Sequence, residues 1–260
     1  MPVHNLYKQD VILYPDAHKY YDVSGKEYMG FSSLYNFLVP KFDSDFMAGQ
    51  VAKKEGLTKE NVLNNWKVAT DEGTRIDNAL ELYAETGQIL KENEDIKPLL
   101  EFVLKKYKDY NRCYSQLTVF NHKYRTAGTL DKLSLLSNRK DSKFHLSDYK
   151  VFDGGMTYSP KGQAWLNYPF DYLPNTRYTK INIQTSYYTW HFEELTGKKC
   201  ERIFVDMIIP QKSNGKITGY KNEVIPMPYL KHQIEAMLDH FKDKIINKLD
   251  SVESTIMEEF

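Results

Sequence analysis

GTLDKLSLLSNRKDSKFHLSDYKV, residues 128–151, is the stretch that decides the fold class. Its two ends, GTLDKLSLL and KFHLSDYKV, read as strands, and SNRKDS at 137–142 between them is a cluster of turn residues. With LTVFNHKY at 117–124 they make three consecutive strands. In the last of these, Asp148 and Lys150 stand two apart and project to one face with Phe144 and Leu146, while Tyr149 faces the other way. Burying two charges is costly unless they pair or bind an ion. A structural ion pair at a strand end is the plainer reading of Asp148 and Lys150, and a metal site is the functional one. On the preceding strand, Gly128-Thr129-Leu130-Asp131 brings a second acid. Strands joined by a hairpin lie about 5 Å apart, so Asp131 can sit beside Asp148. Two unpaired carboxylates at that range repel, and a hard cation such as Mg²⁺ or Mn²⁺ removes the cost. An aspartate near a turn and facing solvent is the alternative. Gly128 allows close approach of another backbone or of substrate.

Outward from this stretch, the pattern stays readable. Residues 10–30 alternate apolar and polar around VSGKEY and read as a hairpin. SLYNFL, capped by Ser32 or Ser33, reads as a short helix ended before Pro40. From about 44 to 112 the period is helical, with residues 62–87 read as two helical pieces around Gly73. Ile96, Leu99, Leu100, Val103, Tyr107 and Tyr110 recur at helical spacing beyond it. Downstream, a loop at about 153–177 is rich in Gly, Pro and aromatics. TKINIQTSYYTWHFEELTG reads as a helix ending at Gly197, CERIFVDMII as a buried strand and ITGYKNEVIPM as another. The last helix carries Leu230, Ile234, Leu238, Phe241, Ile245 and Leu249 on one stripe. The order predicts an α/β chain with a central mixed sheet flanked by helices. It reads as one domain over 1–260: an N-terminal hairpin and helical region (1–115), a core (116–226) and a C-terminal helix (227–260).

Composition narrows the classes. Hydrophobic residues make up 41% of the 260, enough for a substantial core. The 35 basic and 35 acidic residues cancel, so any phosphate-binding surface has to be local. Two cysteines, Cys113 and Cys200, with no CxxC, leave no room for a four-cysteine zinc site or iron–sulfur cluster. The N-terminal MPVHNLYKQD lacks the apolar run of a signal peptide, and no stretch nears the roughly 18 apolar residues of a membrane span. The expectation is a cytoplasmic protein without a membrane partner.

Two further patterns flank the strands. In Gly73-Thr74-x-x-Asp77-x-x-x-Glu81, Asp77 and Glu81 share one helix face, as a metal-supporting pair or as a solvated acidic stripe. In Gln184-x-x-x-Tyr188, an amide and a phenol share a face and can hydrogen-bond phosphate without competing for a cation; a packed tyrosine on a polar face is the plainer reading.

Taken together, a glycine–threonine helix, a GxxD strand, a DxK strand and a QxxxY helix resemble, in that order, the PD-(D/E)XK nuclease superfamily. The likeness is greatest to its RecB-type branch, which includes the mitochondrial genome maintenance exonucleases and many phage exonucleases. It runs from about residue 28 to 210, and FSSLYNFL and LNYPFDYLPNTRYTKINIQTSYY are similar to the corresponding passages of that branch. The resemblance implies a restriction-endonuclease-like core and a Mg²⁺- or Mn²⁺-dependent nuclease, an exonuclease leaving 5′-phosphates. It implies that Asp131 and Asp148 bind metal with the backbone carbonyl of Tyr149, supported by Asp77 and Glu81. Lys150 would orient or activate water, Gln184 and Tyr188 would steady the site, and Gly73 and Thr74 would begin the first-motif helix and help bind substrate. Two positions depart from the branch: Asp77 stands where it usually has His, and Gln116 where it often has Glu. They motivate the alternative of a weakened nuclease acting as a DNA-binding or assembly factor. The loop rings Tyr158, Trp165, Tyr168, Phe170 and Tyr172 either pack the loop or stack on unpaired bases, with Trp165 and Tyr168 taken as substrate-binding candidates. The expected partner is DNA with a single-stranded end.

Overall fold

The computed structural model describes residues 6–14, 17–39, 44–105, 112–137, 139, 142–152, 156–158, 165–213 and 216–258. Three short strands open the chain: β1 (Val11–Tyr14), β2 (Lys19–Asp22) and β3 (Glu27–Gly30). Four helices follow, α1 (Phe31–Tyr35), α2 (Ser44–Glu55), α3 (Lys59–Thr86) and α4 (Lys97–Lys105), with a 3₁₀ turn at Lys91–Ile96. Then come β4 (Arg112–Asn121), β5 (Thr126–Leu135), β6 (Phe144–Val151), α5 (Arg177–Thr196), β7 (Cys200–Ser213), β8 (Lys216–Met227) and α6 (Lys231–Glu258). Among the described residues no helix is long and apolar enough to cross a membrane.

The eight strands form one mixed sheet flanked by helices, as the pattern predicts. Along the order β1-β2-β3-β5-β6-β7-β8, β4 pairs with β5 from the side. One face carries α1, α5 and α6 over Leu130, Phe144, Leu146, Val205 and Met207. The other carries α3 and α4, whose Ile76, Leu80, Leu99 and Leu100 pack on Tyr149 and Ile208. The predicted opposition of Asp148 and Tyr149 therefore holds.

Between Ile181 and Glu193 helix α5 is buried on nearly all sides, which its apolar residues permit and its polar ones make demanding. Thr176 caps its start by accepting from the Thr179 N–H, and Gly197 ends it in the left-handed region at φ 69°. Its His191 is wholly buried, its Nδ1 donating to the Tyr187 carbonyl at 2.8 Å and its Nε2 2.9 Å from Thr126 Oγ1. Burial pushes this imidazole down to about 4, so it stays neutral. Tyr187 Oη donates to the Ala127 carbonyl at 3.1 Å. Both bonds pin α5 to the first residues of β5, next to Gly128.

Four readings are corrected. Gly73 does not separate two helices: α3 is continuous from Lys59, capped by Thr58, to Gly87 at φ 70°. A helix interior tolerates one glycine at a cost near 1 kcal/mol, which a 28-residue helix absorbs. Helix α1 starts at Phe31 with no side-chain cap, so neither Ser32 nor Ser33 caps it. The N-terminal segment is a three-strand meander whose last strand joins the main sheet. The helical reading to 112 runs into β4, which starts there; Tyr107, Tyr110 and half of the 137–142 turn (138, 140 and 141) lie outside the described residues.

The feature that places the site is a fork in the sheet. β5 pairs with β4 from end to end on one edge, except at Asp131. Its other edge is shared: Thr126 and Ala127 pair in parallel with β3, and Lys132–Leu135 pair antiparallel with β6. Gly128–Asp131 lie in the gap. On the far side of the fork, β6 leaves β5 after Ser147 and continues with β7 alone through Val151. Asp148-Tyr149-Lys150 thus forms the second wall of the opening.

Candidate active site

Opposite carboxylates meet at this fork because the ladder register puts them there. Lys132 pairs with Ser147, so the next step along the diverging strands faces Asp131 with Asp148. Asp131 Oδ2 accepts from the Tyr149 N–H at 3.1 Å, bridging the gap where a ladder bond is lost. Lys150 Nζ stands 2.6 Å from Asp148 Oδ2, and the Asp148 side chain is only 2% exposed. Asp77 of α3 reaches the same opening from the side.

One cleft of about 470 Å³ collects these groups. Asp77, Asp131, Asp148, Lys150, Gln184 and Tyr188 all line it. Gln184 Nε2 donates to Tyr188 Oη at 3.0 Å, which fixes the amide and phenol on one helix face. The opening of the GxxD motif has its own explanation here. A Cβ on Gly128 would lie 2.9 Å from Cδ1 of Tyr188 and closer still to Cε1, so the glycine exists to admit that ring. The close approach expected at Gly128 is therefore to a side chain of the QxxxY helix, not to backbone or substrate.

The electrostatics are those of three acids and one amine with little water. Burial pushes the Asp77 carboxyl up to about 7, Asp131 adding to the effect and Lys150 opposing it. Its Oδ1 is buried with no hydrogen-bond partner. Burial likewise raises Asp148 well above the carboxylate range, against the pull of Lys150. For Lys150, burial opposes the charge, but Asp148, Asp131 and Asp77 outweigh it and hold the amine protonated above its usual range. At neutral pH Lys150 is a donor, not a base. Burial keeps the Tyr188 phenol protonated as well.

This excess of acid has a measurable consequence. Asp77 titrates higher in the folded chain than in the unfolded one, so between about pH 4 and pH 7 the native state holds a proton the unfolded state releases. Stability then falls as pH rises through that window, by on the order of a few kcal/mol. In EDTA, the Tm of wild type should drop relative to Asp77→Asn by roughly 5 °C or more between pH 4.5 and 7.5. A pH-independent difference between the two would disprove this account of Asp77.

The donor set fits a hard divalent cation. Carboxylate oxygens are its preferred ligands, and an uncompensated buried carboxyl oxygen is what such an ion relieves. Among the described residues no group of three or more His, Cys, Asp or Glu side chains stands at metal-binding spacing. An ion held by two carboxylates would fill its shell with main-chain carbonyl, water and phosphate oxygens, the usual habit of Mg²⁺.

Other candidates fall elsewhere. Glu81 does not line the cleft itself but a small adjoining cavity that Asp77 and Asp131 also line, with Gln116, Lys132 and Tyr149. Gly73 sits mid-helix with no side chain near its Cβ direction, and Thr74 Oγ1 donates to its own helix at Thr70 O, 3.2 Å away. Both lie inside α3, so neither begins the helix, and neither lines the cleft. Trp165 and Tyr168 are more than half exposed and stand outside the cleft, whereas Phe170 is fully buried. Gln116 lines the cleft next to Asp131 across β4 and β5, at the one step their ladder omits, and holds φ 49°. A left-handed glutamine in a strand is costly and marks a site where the backbone is forced.

Several lining residues escaped the sequence reading. Tyr20 comes from β2, and its Oη lies 3.1 Å from Thr129 Oγ1 within the GxxD segment. Lys248 of α6 lines the rim. Lys180 does not line the cleft but sits one turn before Gln184; burial lowers its affinity for protons and the charge of Lys150 lowers it further. Its i, i+4 spacing from Gln184 was the available signal. Tyr20 gave none, and the lysines of 231–248 signal a phosphate-contacting surface without placing Lys248 at the cleft, which only the tertiary fold does.

No protein-family model matches the chain, and no curated protein matches it. In fold it is similar to a crystal structure from Eubacterium rectale named "Putative exonuclease", with a TM-score of 0.43 and 15% identity over 96% of this chain and 87% of that one. A likeness so distant transfers no activity, and the functional case rests on the cleft.

Proposed function

We propose that this chain is a divalent-metal-dependent nuclease of the PD-(D/E)XK type, of the RecB-like branch, acting on DNA with a single-stranded end as an exonuclease. The observation that carries the reading is the convergence of Asp131, Asp148, Lys150, Gln184 and Tyr188 on one cleft at the fork of β5 and β6. Five side chains from three elements meet where a structural ion pair would need only two.

Asp131 and Asp148 would hold Mg²⁺ or Mn²⁺ with the Tyr149 carbonyl, and Asp77 would stand beside them. A cation there supplies Lewis-acid stabilisation of charge on the phosphate and lowers the pKa of attacking water. Lys150, protonated, donates to the attacking water or to a phosphate oxygen and adds positive charge where negative charge grows. Gln184 and Tyr188 are neutral donors that orient the phosphate without competing for the ion. Tyr149 buries its ring on α3 and keeps this part of β6 in place. The expected products carry 5′-phosphates and 3′-hydroxyls.

The test is direct. Purified protein with labelled single- and double-stranded DNA should cleave in Mg²⁺ or Mn²⁺ and not in EDTA, from an end. Tight DNA binding without cleavage under every metal condition would instead support a DNA-binding factor, the reading that Gln116 in place of an acid favours.

A further inference from the structure

Helix α6 carries His240, Lys244 and Lys248 at four-residue intervals, hence on one face. The helical rise separates neighbours by ~6 Å, comparable to successive phosphates on an extended strand. Lys248 already lines the catalytic cleft. Phe37, just after α1, lies alongside: Lys244 Nζ is 4.2 Å from its ring centre and Lys248 Nζ 5.5 Å. Asn167 ties the loop bearing the exposed aromatics to the same place, its Nδ2 donating to Phe37 O at 3.2 Å and its N–H to Leu38 O at 2.8 Å. The next residue, Tyr168, meets His240 edge-on at 5.0 Å between ring centres. Trp165 stands two residues before Asn167.

The row therefore starts in the cleft and ends at Tyr168, which is 56% exposed; Trp165, three residues earlier in the same loop, is 58% exposed. Rings left in water beside a line that carries Lys244 and Lys248 are poorly explained by packing, since Phe170 of the same loop is fully buried and does that work. Asp239, beside His240, is turned away to accept from Tyr124 at 2.6 Å, and the exposed acid nearest the row is Asp243, next to Lys244. Net charge across the chain is zero, so a local cationic row is the form a phosphate-binding surface has to take here.

We infer that this row is a binding track for single-stranded nucleic acid outside the cleft: Lys244 and Lys248 take successive phosphates, and Tyr168 and Trp165 stack on unpaired bases. The inference rests on the nuclease reading of the cleft and extends it along the strand. Trp165 and Tyr168 would thus hold substrate several nucleotides from the chemistry. Paired bases cannot reach the rings, so a duplex gains only the phosphate contacts and none of the stacking.

Fluorescence anisotropy in EDTA tests it without any cleavage, using labelled single-stranded oligonucleotides of three and twelve nucleotides and a blunt twelve-base-pair duplex. Wild type should bind the twelve-mer about tenfold or more tighter than the three-mer, a size stacking contacts can supply. Lys244→Glu and Tyr168→Ala should cut that advantage to about twofold and leave three-mer affinity and Tm unchanged, both side chains being exposed. The track is overturned if either variant keeps the full advantage, if wild type shows none, or if the duplex binds as tightly as the twelve-mer. Wild type that neither binds any of these nor cleaves DNA in Mg²⁺ or Mn²⁺ overturns the nuclease reading together with the track. Wild type that cleaves while the variants bind like it overturns the track alone.

Discussion

Asp148→Asn and Lys150→Met should each lower metal-dependent DNA cleavage by about a thousandfold or more, equivalent to ~4 kcal/mol on the barrier. Asp148 is nearly sealed from water, opposite Asp131 and 2.6 Å from the only amine among them. The two variants separate two roles. With Asp148→Asn, one of three acids goes while Lys150 keeps Asp131 and Asp77 as neighbours, so the metal-free protein should melt within a few degrees of wild type. The rise in Tm that Mn²⁺ gives wild type should vanish. With Lys150→Met, three acids lose their counter-charge. The metal-free protein should weaken as pH rises above neutrality, and Mn²⁺ should restore more of its Tm than it adds to wild type. A Lys150→Met enzyme retaining near-normal rates would remove the amine from the chemistry and leave it as a structural counter-ion.

The second large effect is expected at a residue with no chemistry of its own. Gly128→Ala inserts a methyl group where the Tyr188 ring already lies. Overpacking of a tight contact costs roughly 1–3 kcal/mol, or about 3–10 °C of Tm in a chain of this size. Tyr188 is bonded to Gln184, so the ring cannot move without carrying that amide with it, and cleavage should fall at least tenfold. Tyr188→Leu provides the cross-check. In the double variant the smaller side chain leaves room for the methyl, so Gly128→Ala should cost far less stability there than in wild type. Additive losses would show that the clash is not the cause.

How much of this was written in the sequence depends on whether a residue's neighbours are local. Asp148 and Lys150 could be placed on one face because strand periodicity is fixed by the backbone, and Asp131 could be set beside them because one hairpin joins the two strands. The α/β class and the order of the core strands followed from the same local rules. Gly73 misled because a glycine is a weak signal inside a helix whose length comes from packing on other elements. The glycine that mattered, Gly128, could not be understood without the ring of Tyr188, sixty residues further along the chain. Tyr20 and Lys248 carry no motif at all; the meander and α6 bring them to the cleft through β3–β5 pairing and through Arg125. That arginine holds the Glu27 carbonyl at 3.1 Å and also pairs with Asp250 near the end of α6.

The parallel pairing of β3 with β5 has a consequence for how the chain is made. Met29 and Gly30 wait for Thr126 and Ala127, about a hundred residues later in synthesis. At ~5–20 residues per second, a ribosome leaves the opening meander without its neighbour for several seconds or longer. Through that interval β3 shows a bare edge, the kind that recruits other chains. Nascent fragments stopped before β5 should therefore be the sticky ones, and expression yield should respond to translation speed between codons 30 and 127.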